Sequence, residues 1–229
     1  MTESIISVRD LKFRWKQSLP FTINIKELTV FKGEKVFIYG PSGSGKTTLL
    51  GLFGGVLSPT SGTLRITDQD LHLLSEGARD QFRADHIGFI FQQFNLIPYL
   101  NVLENVLLPL KFSKLKGRST PDSLKRAQTL LGMLEIPNTH FHKKIFELSV
   151  GQQQRVAAAR AMIGSPEVVI ADEPTSALDF ELRDKFVRVL EELVASCGST
   201  LVFVSHDHSL SSLFDRKIDL PSLNLQGLK

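Results

Sequence analysis

An α/β fold built on a parallel sheet is what the sequence predicts, and three textures along the chain carry the prediction. First, VFIY (36–39), VVIA (168–171) and LVFV (201–204) are short continuous apolar runs, the pattern of parallel strands buried on both faces. IGFIF (87–91) is a fourth run of this kind. Each of the first three is followed by polar residues and then by a helical pattern, as an α/β core requires. Second, Phe21, Ile23 and Ile25 alternate with polar residues and Leu28 and Val30 continue the period, so the first thirty residues read as a half-buried antiparallel sheet. Third, the stretch from Asn101 to Met162 turns helical, with Leu124, Ala127, Leu130, Leu131 and Leu134 returning at three- and four-residue spacing. A helix is predicted from near Ser149 through RVAAARAMI, stopped by Gly164-Ser165-Pro166. The expected organisation is one domain over 1–229, with its core in 1–92 and 166–229 and a helical subdomain inserted at about 93–165.

The bulk composition narrows the classes that remain. At 229 residues, 42% hydrophobic and 22% charged, the chain can bury a core without disulfides or a structural metal. Its single cysteine, Cys197, cannot bridge internally, which suits a reducing compartment. The opening MTESIISVRD lacks the basic stretch and apolar run of a secretory signal. The longest apolar-or-glycine run, Leu49 to Leu57, has nine residues, whereas crossing a bilayer takes about 20. An integral membrane protein is therefore not expected. A net charge of +3 is too small to argue for a nucleic-acid partner.

Directly after VFIY comes GPSGSGKTT (40–48), in which Gly40, Gly45, Lys46 and Thr47 fit the phosphate-binding pattern G-x-x-x-x-G-K-[ST]. Glycines at 40, 43 and 45 let backbone N–H groups approach phosphate oxygens. Lys46 supplies a cation for the β and γ phosphates, and the Thr47 hydroxyl can ligate Mg²⁺. Ser42 and Thr48 complete the candidate nucleotide contacts, and the helix that follows turns its N-terminus to the same anion. Motif and context together predict a P-loop NTPase core of the RecA-like kind. At the end of VVIA, Asp172 and Glu173 stand where parallel sheets bind ligands. Asp172 is placed to hold Mg²⁺, and Glu173 to orient or deprotonate a water.

Beside these motifs lies ELSVGQQQRVAAARAM (147–162), and the three together resemble the nucleotide-binding subunit of ABC transporters. Leu148-Ser149-Val150-Gly151-Gln152 is similar to that family's signature, Gln92 falls at its Q-loop glutamine, and Ser176-Ala177-Leu178-Asp179 resembles its D-loop. His206 corresponds to the switch histidine, and Trp15 stands where an aromatic stacks on adenine. The resemblance implies a head-to-tail homodimer around two ATP. Each ATP would touch the P-loop, Asp172, Glu173 and His206 of one copy and the signature residues Ser149, Gly151 and Gln152 of the other, with Asp179 also among the nucleotide contacts. Gln92 would sense Mg²⁺ and signal through 93–100 to a separate membrane (permease) subunit, which places the chain in the cytoplasm against the inner or plasma membrane. Within the family, FNLIPYLNVLENVLLPL (94–110) resembles the lipoprotein-release and macrolide-efflux type, with a cell-division ATPase as a near relative. The transported substrate would be chosen by the membrane subunit.

Some residues depart from the pattern or have a plainer reading. Val150 replaces a signature glycine, and valine does not readily take φ > 0; it either tunes ATP affinity mildly or slows the ATPase. On the slow-ATPase side lies an alternative function, an ATP-dependent clamp or scaffold with little transport. Trp15 has the alternative of a core or edge aromatic. The pairs His206/His208 and His140/His142 lack the cysteine or acidic partners of a first-row metal site. Lys111, Lys114, Lys116, Arg118, Lys125 and Arg126 form a basic cluster expected to be a solvated face.

Overall fold

The structure is a computed structural model that describes residues 3–115, 121–178 and 180–225. In chain order it comprises β1 (Ser4–Phe13), β2 (Ile23–Phe31), β3 (Lys35–Tyr39), α1 (Lys46–Phe53), β4 (Ser61–Ile66), β5 (Gln69–Asp70), α2 (Glu76–His86) and β6 (Ile87–Ile90). Then follow α3 (Val102–Leu107), α4 (Pro121–Met133), α5 (Val150–Met162), β7 (Val168–Asp172), α6 (Phe180–Ser196), β8 (Thr200–Val204), β9 (Arg216–Asp219) and α7 (Leu220–Leu223).

The four apolar runs become neighbouring strands of one parallel sheet, ordered β6-β7-β8-β3-β9. They read as continuous hydrophobic stretches because each strand is buried twice. Val36, Ile38, Val168, Ile170, Val202 and Val204 face α1 and the N-terminal sheet. Phe37, Val169, Ala171, Leu201 and Phe203 face the helices on the opposite side. That alternation within an unbroken apolar run is the period of two expressed on two cores.

The N-terminal sheet is antiparallel, ordered β2-β1-β4-β5. Its register pairs Ile6 with Val30, Val8 with Leu28 and Leu11 with Ile25, which stacks the alternating apolar residues on one buried face. Phe21 does not join the strand; it lies just before β2, with Arg14 over its ring at 5.0 Å and Lys12 at 5.7 Å. α3, α4 and α5 occupy the sequence between β6 and β7. On α4 the apolar stripe holds at Ala127, Leu130 and Leu131, and Leu134 just beyond is buried too, whereas Leu124 is 40% exposed. Among the described residues, no helix is long and apolar enough to cross a membrane.

Register is what positions the site. Ile38 of β3 and Asp172 of β7 both stand level with Val204 of the intervening β8. The loops that leave these strands therefore emerge side by side. On the other flank Ile90 pairs with Ala171, so the chain leaving β6 starts beside the same edge.

Candidate functional site

The loop between β3 and α1 admits little but glycine at its two ends. Gly45, which caps α1, has φ 97, and a Cβ there would stand 3.0 Å from Ile23 Cδ1 and 3.2 Å from the Thr22 carbonyl oxygen. A Cβ on Gly40 would sit 2.8 Å from Ser44 Oγ and 2.9 Å from Pro221 Cδ. Ser42 and Gly43 form the exposed crown of the loop, and Thr48 is buried beneath it. Lys46 Nζ donates to the carbonyls of Gly40 (2.8 Å) and Pro41 (3.0 Å), drawing its ammonium across the loop. Ser44 Oγ is buried without a hydrogen-bond partner among the described residues, a polar atom of this loop that the motif alone did not mark.

The Thr47 hydroxyl donates to the Asp172 carboxylate, so the α1 and β7 ends meet. Burial pushes the Asp172 carboxyl above its ordinary value and the charge of Glu173 adds to this, while the Thr47 hydrogen bond and the Lys46 ammonium pull the other way. Such a carboxyl is short of positive charge. The Thr47 and Asp172 oxygens are the hard donors that a small divalent cation takes, and the residues present fit one.

Glu173 turns the chain out of β7 with φ 47, a left-handed conformation costing about 1 kcal/mol for a side-chain-bearing residue. Its N–H donates to the Val204 carbonyl at 2.9 Å, which anchors the turn to β8. Its carboxylate pairs with His206 Nδ1 at 2.7 Å, a contact in which an ionised carboxylate takes the imidazole as donor. The segment after β8 is fixed in turn: Asp207 accepts from Ser209 N (3.0 Å) and Oγ (2.7 Å) and pairs with Arg183 of α6. The His208 ring packs edge-on against Tyr39 at 4.5 Å. Lys46, Thr47, Asp172, Glu173 and His206 are thus brought together from three adjacent strand ends. An anion bound over the loop, a cation beside it and a carboxylate aimed at a water can be served by this arrangement.

Gln92 is exposed two residues beyond β6, at the edge where β7 ends. The turn it opens is left-handed at Phe94 (φ 58) and Asn95 (φ 49), and Arg160 of α5 donates to both of their carbonyls. Arg160 escaped the sequence reading because it sits inside the alanine-rich run of a buried helix. Trp15 is 59% exposed in the β1–β2 loop, its ring edge-on to Phe13 at 5.2 Å. The end of that loop, Thr22, touches Gly45, so Trp15 is an exposed ring on a loop that borders the phosphate loop.

The signature residues lie apart from this cluster. Ser149 caps α5: its Oγ accepts from Gln152 N (3.3 Å), while Gln152 Oε1 accepts from Ser149 N (3.0 Å). The neighbours of this end are His140, 3.5 Å from the Gln152 amide, and Leu178, 3.5 Å from a Cβ built on Gly151. Among the described residues, no hydrogen bond joins Ser149, Gly151 or Gln152 to the P-loop. Val150 is the first residue of α5 and 51% exposed; its backbone is not left-handed, so the strain anticipated for valine does not arise. Asp179 lies outside the described residues, as do Lys116 and Arg118 of the basic cluster. Arg126 is no solvated member of that cluster, for it donates to the Ile163 carbonyl (2.9 Å) and Ser165 Oγ (2.6 Å) and reaches Cys197 Sγ at 3.6 Å.

Known proteins resemble this chain in sequence and in fold. The family model described as ABC transporter matches residues 23–176. The uncharacterised ABC transporter ATP-binding protein YbbA of Escherichia coli K12 is 44% identical over 200 residues, covering 87% of this chain and 86% of that one. The lipoprotein-releasing system ATP-binding protein LolD of Shewanella frigidimarina is 40% identical over 200 residues, covering 87% and 82%. Among solved structures, the dimeric post-hydrolysis state of the ATP-binding cassette MJ0796, bound to ADP and Pi, superposes with a TM-score of 0.84 at 38% identity over 93% of each chain.

Proposed function

The chain belongs to the ABC transporter family as an ATP-binding, ATP-hydrolysing cassette, and from that premise we propose that it is the ATPase subunit of a membrane machine of the lipoprotein-release or macrolide-efflux type. The observation that carries the chemistry is the levelling of β3, β8 and β7, which sets Lys46, His206 and the Asp172–Glu173 pair around one point. The likeness to LolD and the stretch 94–110 support the subtype.

The roles follow from the contacts. Lys46 exchanges the Gly40 and Pro41 carbonyls for the β and γ phosphates of ATP, cradled by the N–H groups of 40–48 with the hydroxyls of Ser42 and Thr48. Trp15 stacks on the adenine. Thr47 and Asp172, with the Gln92 amide oxygen, would hold Mg²⁺, which would supply neutralisation of phosphate charge. Glu173 orients the attacking water and takes its proton, and its lone pairs are directed by the His206 imidazole. The same imidazole offers its outer nitrogen to the γ phosphate, where charge builds in the transition state.

This half-site is completed by a second copy, as the dimeric assembly of MJ0796 supports. Ser149 and the N–H groups that open α5 then meet the γ phosphate bound on the partner, with Gly151 and Gln152 beside them. A groove of about 710 Å³ between α2, β6 and the 108–112 turn is the seat we propose for the membrane subunit. Phe89 and Phe91, stacked at 4.1 Å, line it together with Leu108, Pro109 and Phe112, and Asn95 and Arg160 form part of its floor. An apolar segment seated there presses on the turn that carries Gln92. Association with the cytoplasmic face of the membrane then runs through that partner alone. The alternative of an ATP clamp with little turnover rested on Val150; its backbone is unstrained, which leaves only its branched side chain to slow turnover. The test is steady-state ATP hydrolysis by the chain alone and co-purified with a candidate permease subunit. Stimulation by the membrane protein is expected; equal rates would contradict the reading.

A further inference from the structure

Two adjacent residues of the Gln92 turn, Phe94 at φ 58 and Asn95 at φ 49, hold a backbone conformation that side chains disfavour. One side chain grips both. The two terminal nitrogens of Arg160 donate to the Phe94 and Asn95 carbonyls, each at 2.6 Å. Arg160 is only 8% exposed, and among the described residues no carboxylate pairs with it. Burial pulls its guanidinium down to about 10. A charge kept in an interior without a counter-ion is costly, and an apolar side chain would sit more cheaply among its helix neighbours Val156, Ala157, Ala159 and Met162, all fully buried. The catalytic roles assigned above make no use of Arg160.

Its position supplies a use. Arg160 lies on the same uninterrupted helix as the Ser149 cap, 11 positions along, which at 1.5 Å per residue is roughly 16 Å. Its grip falls two residues past Gln92 and on the floor of the groove. A rigid helix therefore joins three places that the ATP cycle must keep in step. We propose that Arg160 is a positioning residue that makes the Gln92 turn travel with the Ser149 end of α5, so that closure on ATP and occupation of the groove bias one element. This rests on the roles proposed for Gln92 and Ser149. A bidentate fork suits the task because two bonds fix the orientation of the turn, where a single donor fixes only its distance.

The test uses the full chain and the variants Arg160→Met, Arg160→Lys, Gln92→Ala and the doubles of each Arg160 variant with Gln92→Ala. In nucleotide-free protein, amides of the 91–97 segment of Arg160→Met should exchange hydrogen about tenfold faster than wild type, with α5 and β7 unchanged and Arg160→Lys intermediate. The kcat for ATP should fall about tenfold while KM stays within about twofold, because the P-loop is untouched. In the Gln92→Ala background the Arg160 substitution should cost less than about twofold more. Unaltered exchange at 91–97, or exchange quickened equally along α5, would overturn the proposal. A double variant whose losses multiply would also overturn it while leaving the role of Gln92 intact. Wild-type kcat in Gln92→Ala alone would overturn that role, and this proposal with it. Should Arg160→Met not fold, the Lys variant and its double carry the same comparison.

Discussion

The strand ends of the parallel sheet and the Ser149 end of α5 are both polar, yet they are satisfied in opposite ways. At the strand ends the polar groups answer one another: Thr47 meets Asp172, Lys46 meets the loop carbonyls, and His206 meets Glu173. At α5 the capping box occupies Ser149 and Gln152, and the N–H groups of Val150 and Gly151, in the first turn of the helix, have no acceptor within it. The first region is a charged site held under strain, with Glu173 left-handed and Asp172 pushed up by burial. The second is relaxed and outward-facing, a donor array with no acceptor among the described residues. Chemistry concentrated in one region and recognition in the other is what a site shared between two copies requires.

The sharpest way to break this contrast is to remove the charge from the strained region. Glu173→Gln keeps a hydrogen-bond acceptor toward His206 but cannot take a proton. Its turnover should fall by about 10²–10⁴-fold, the range of a lost general base. The variant should accumulate as a dimer in ATP, measured by light scattering on a sizing column. A variant that hydrolyses ATP normally, or stays monomeric in ATP, would show that the two regions do not divide the work in this way.

Ser149→Ala attacks the relaxed region and should do less. Losing the N-cap costs about 1 kcal/mol of stability, or roughly 2–4 °C in melting temperature for a chain of this size. Losing one hydrogen bond to a charged phosphate should lower turnover by about 10–100-fold. Binding of ATP to the isolated monomer, followed by equilibrium titration, should not change. Weakened monomer binding would mean that Ser149 serves its own P-loop after all.

How legible each region was from sequence follows from its physics. The parallel strands were plain because burial on both faces leaves an unbroken apolar run, and the P-loop was plain because close approach at Gly40 and Gly45 admits only glycine. The fork of Arg160 onto Phe94 and Asn95 was invisible, since an arginine within RVAAARAM carries no sign of a partner 66 positions earlier. The left-handed turn at Glu173 was hidden likewise, because strain of this kind is imposed by the fold on a residue that disfavours it. β9 went unmarked: RKID, at the sheet edge, lacks the apolar run of its neighbours. Phe21 misled for the opposite reason, fitting the alternation of β2 while lying in the loop that precedes it.

A smaller effect, with a sign that distinguishes the regions, comes from Asp172. Its folded carboxyl is raised, so ionising it costs more in the folded chain than in the unfolded one. The stabilising balance is present below the ordinary carboxylate value and is lost as pH rises through the raised one. Asp172→Asn never ionises and escapes that loss. Without nucleotide or Mg²⁺, the variant should therefore melt above wild type at neutral pH, by a few degrees at most given about 2–4 °C per kcal/mol, and the gap should close as pH falls. Turnover should be lost, since Asn offers no charge to a cation. A lower melting temperature at neutral pH would mean that the carboxylate is a structural asset and not a strained one.

The smallest expected effect is at Val150, and it tests whether the signature end is relaxed at all. Valine there begins a helix with ordinary backbone angles and half its side chain in solvent, so it stores no strain that glycine would release. Glycine gains freedom in the unfolded chain, which costs about 0.5–1 kcal/mol in a helix, a fall in melting temperature of roughly 1–4 °C. The N–H proposed to face the partner's phosphate is kept in either residue, and the branched side chain is the only thing removed from the proposed contact surface. Val150→Gly should therefore be slightly less stable and turn over ATP at the wild-type rate or somewhat faster, read by thermal melts and steady-state assays on one preparation. If turnover instead fell by about tenfold or more, which is 1.4 kcal/mol or beyond, the valine itself would be part of the closed interface. The signature end would then be shaped by packing against the second copy, and the division between a strained catalytic region and a relaxed recognition region would fail at this residue first.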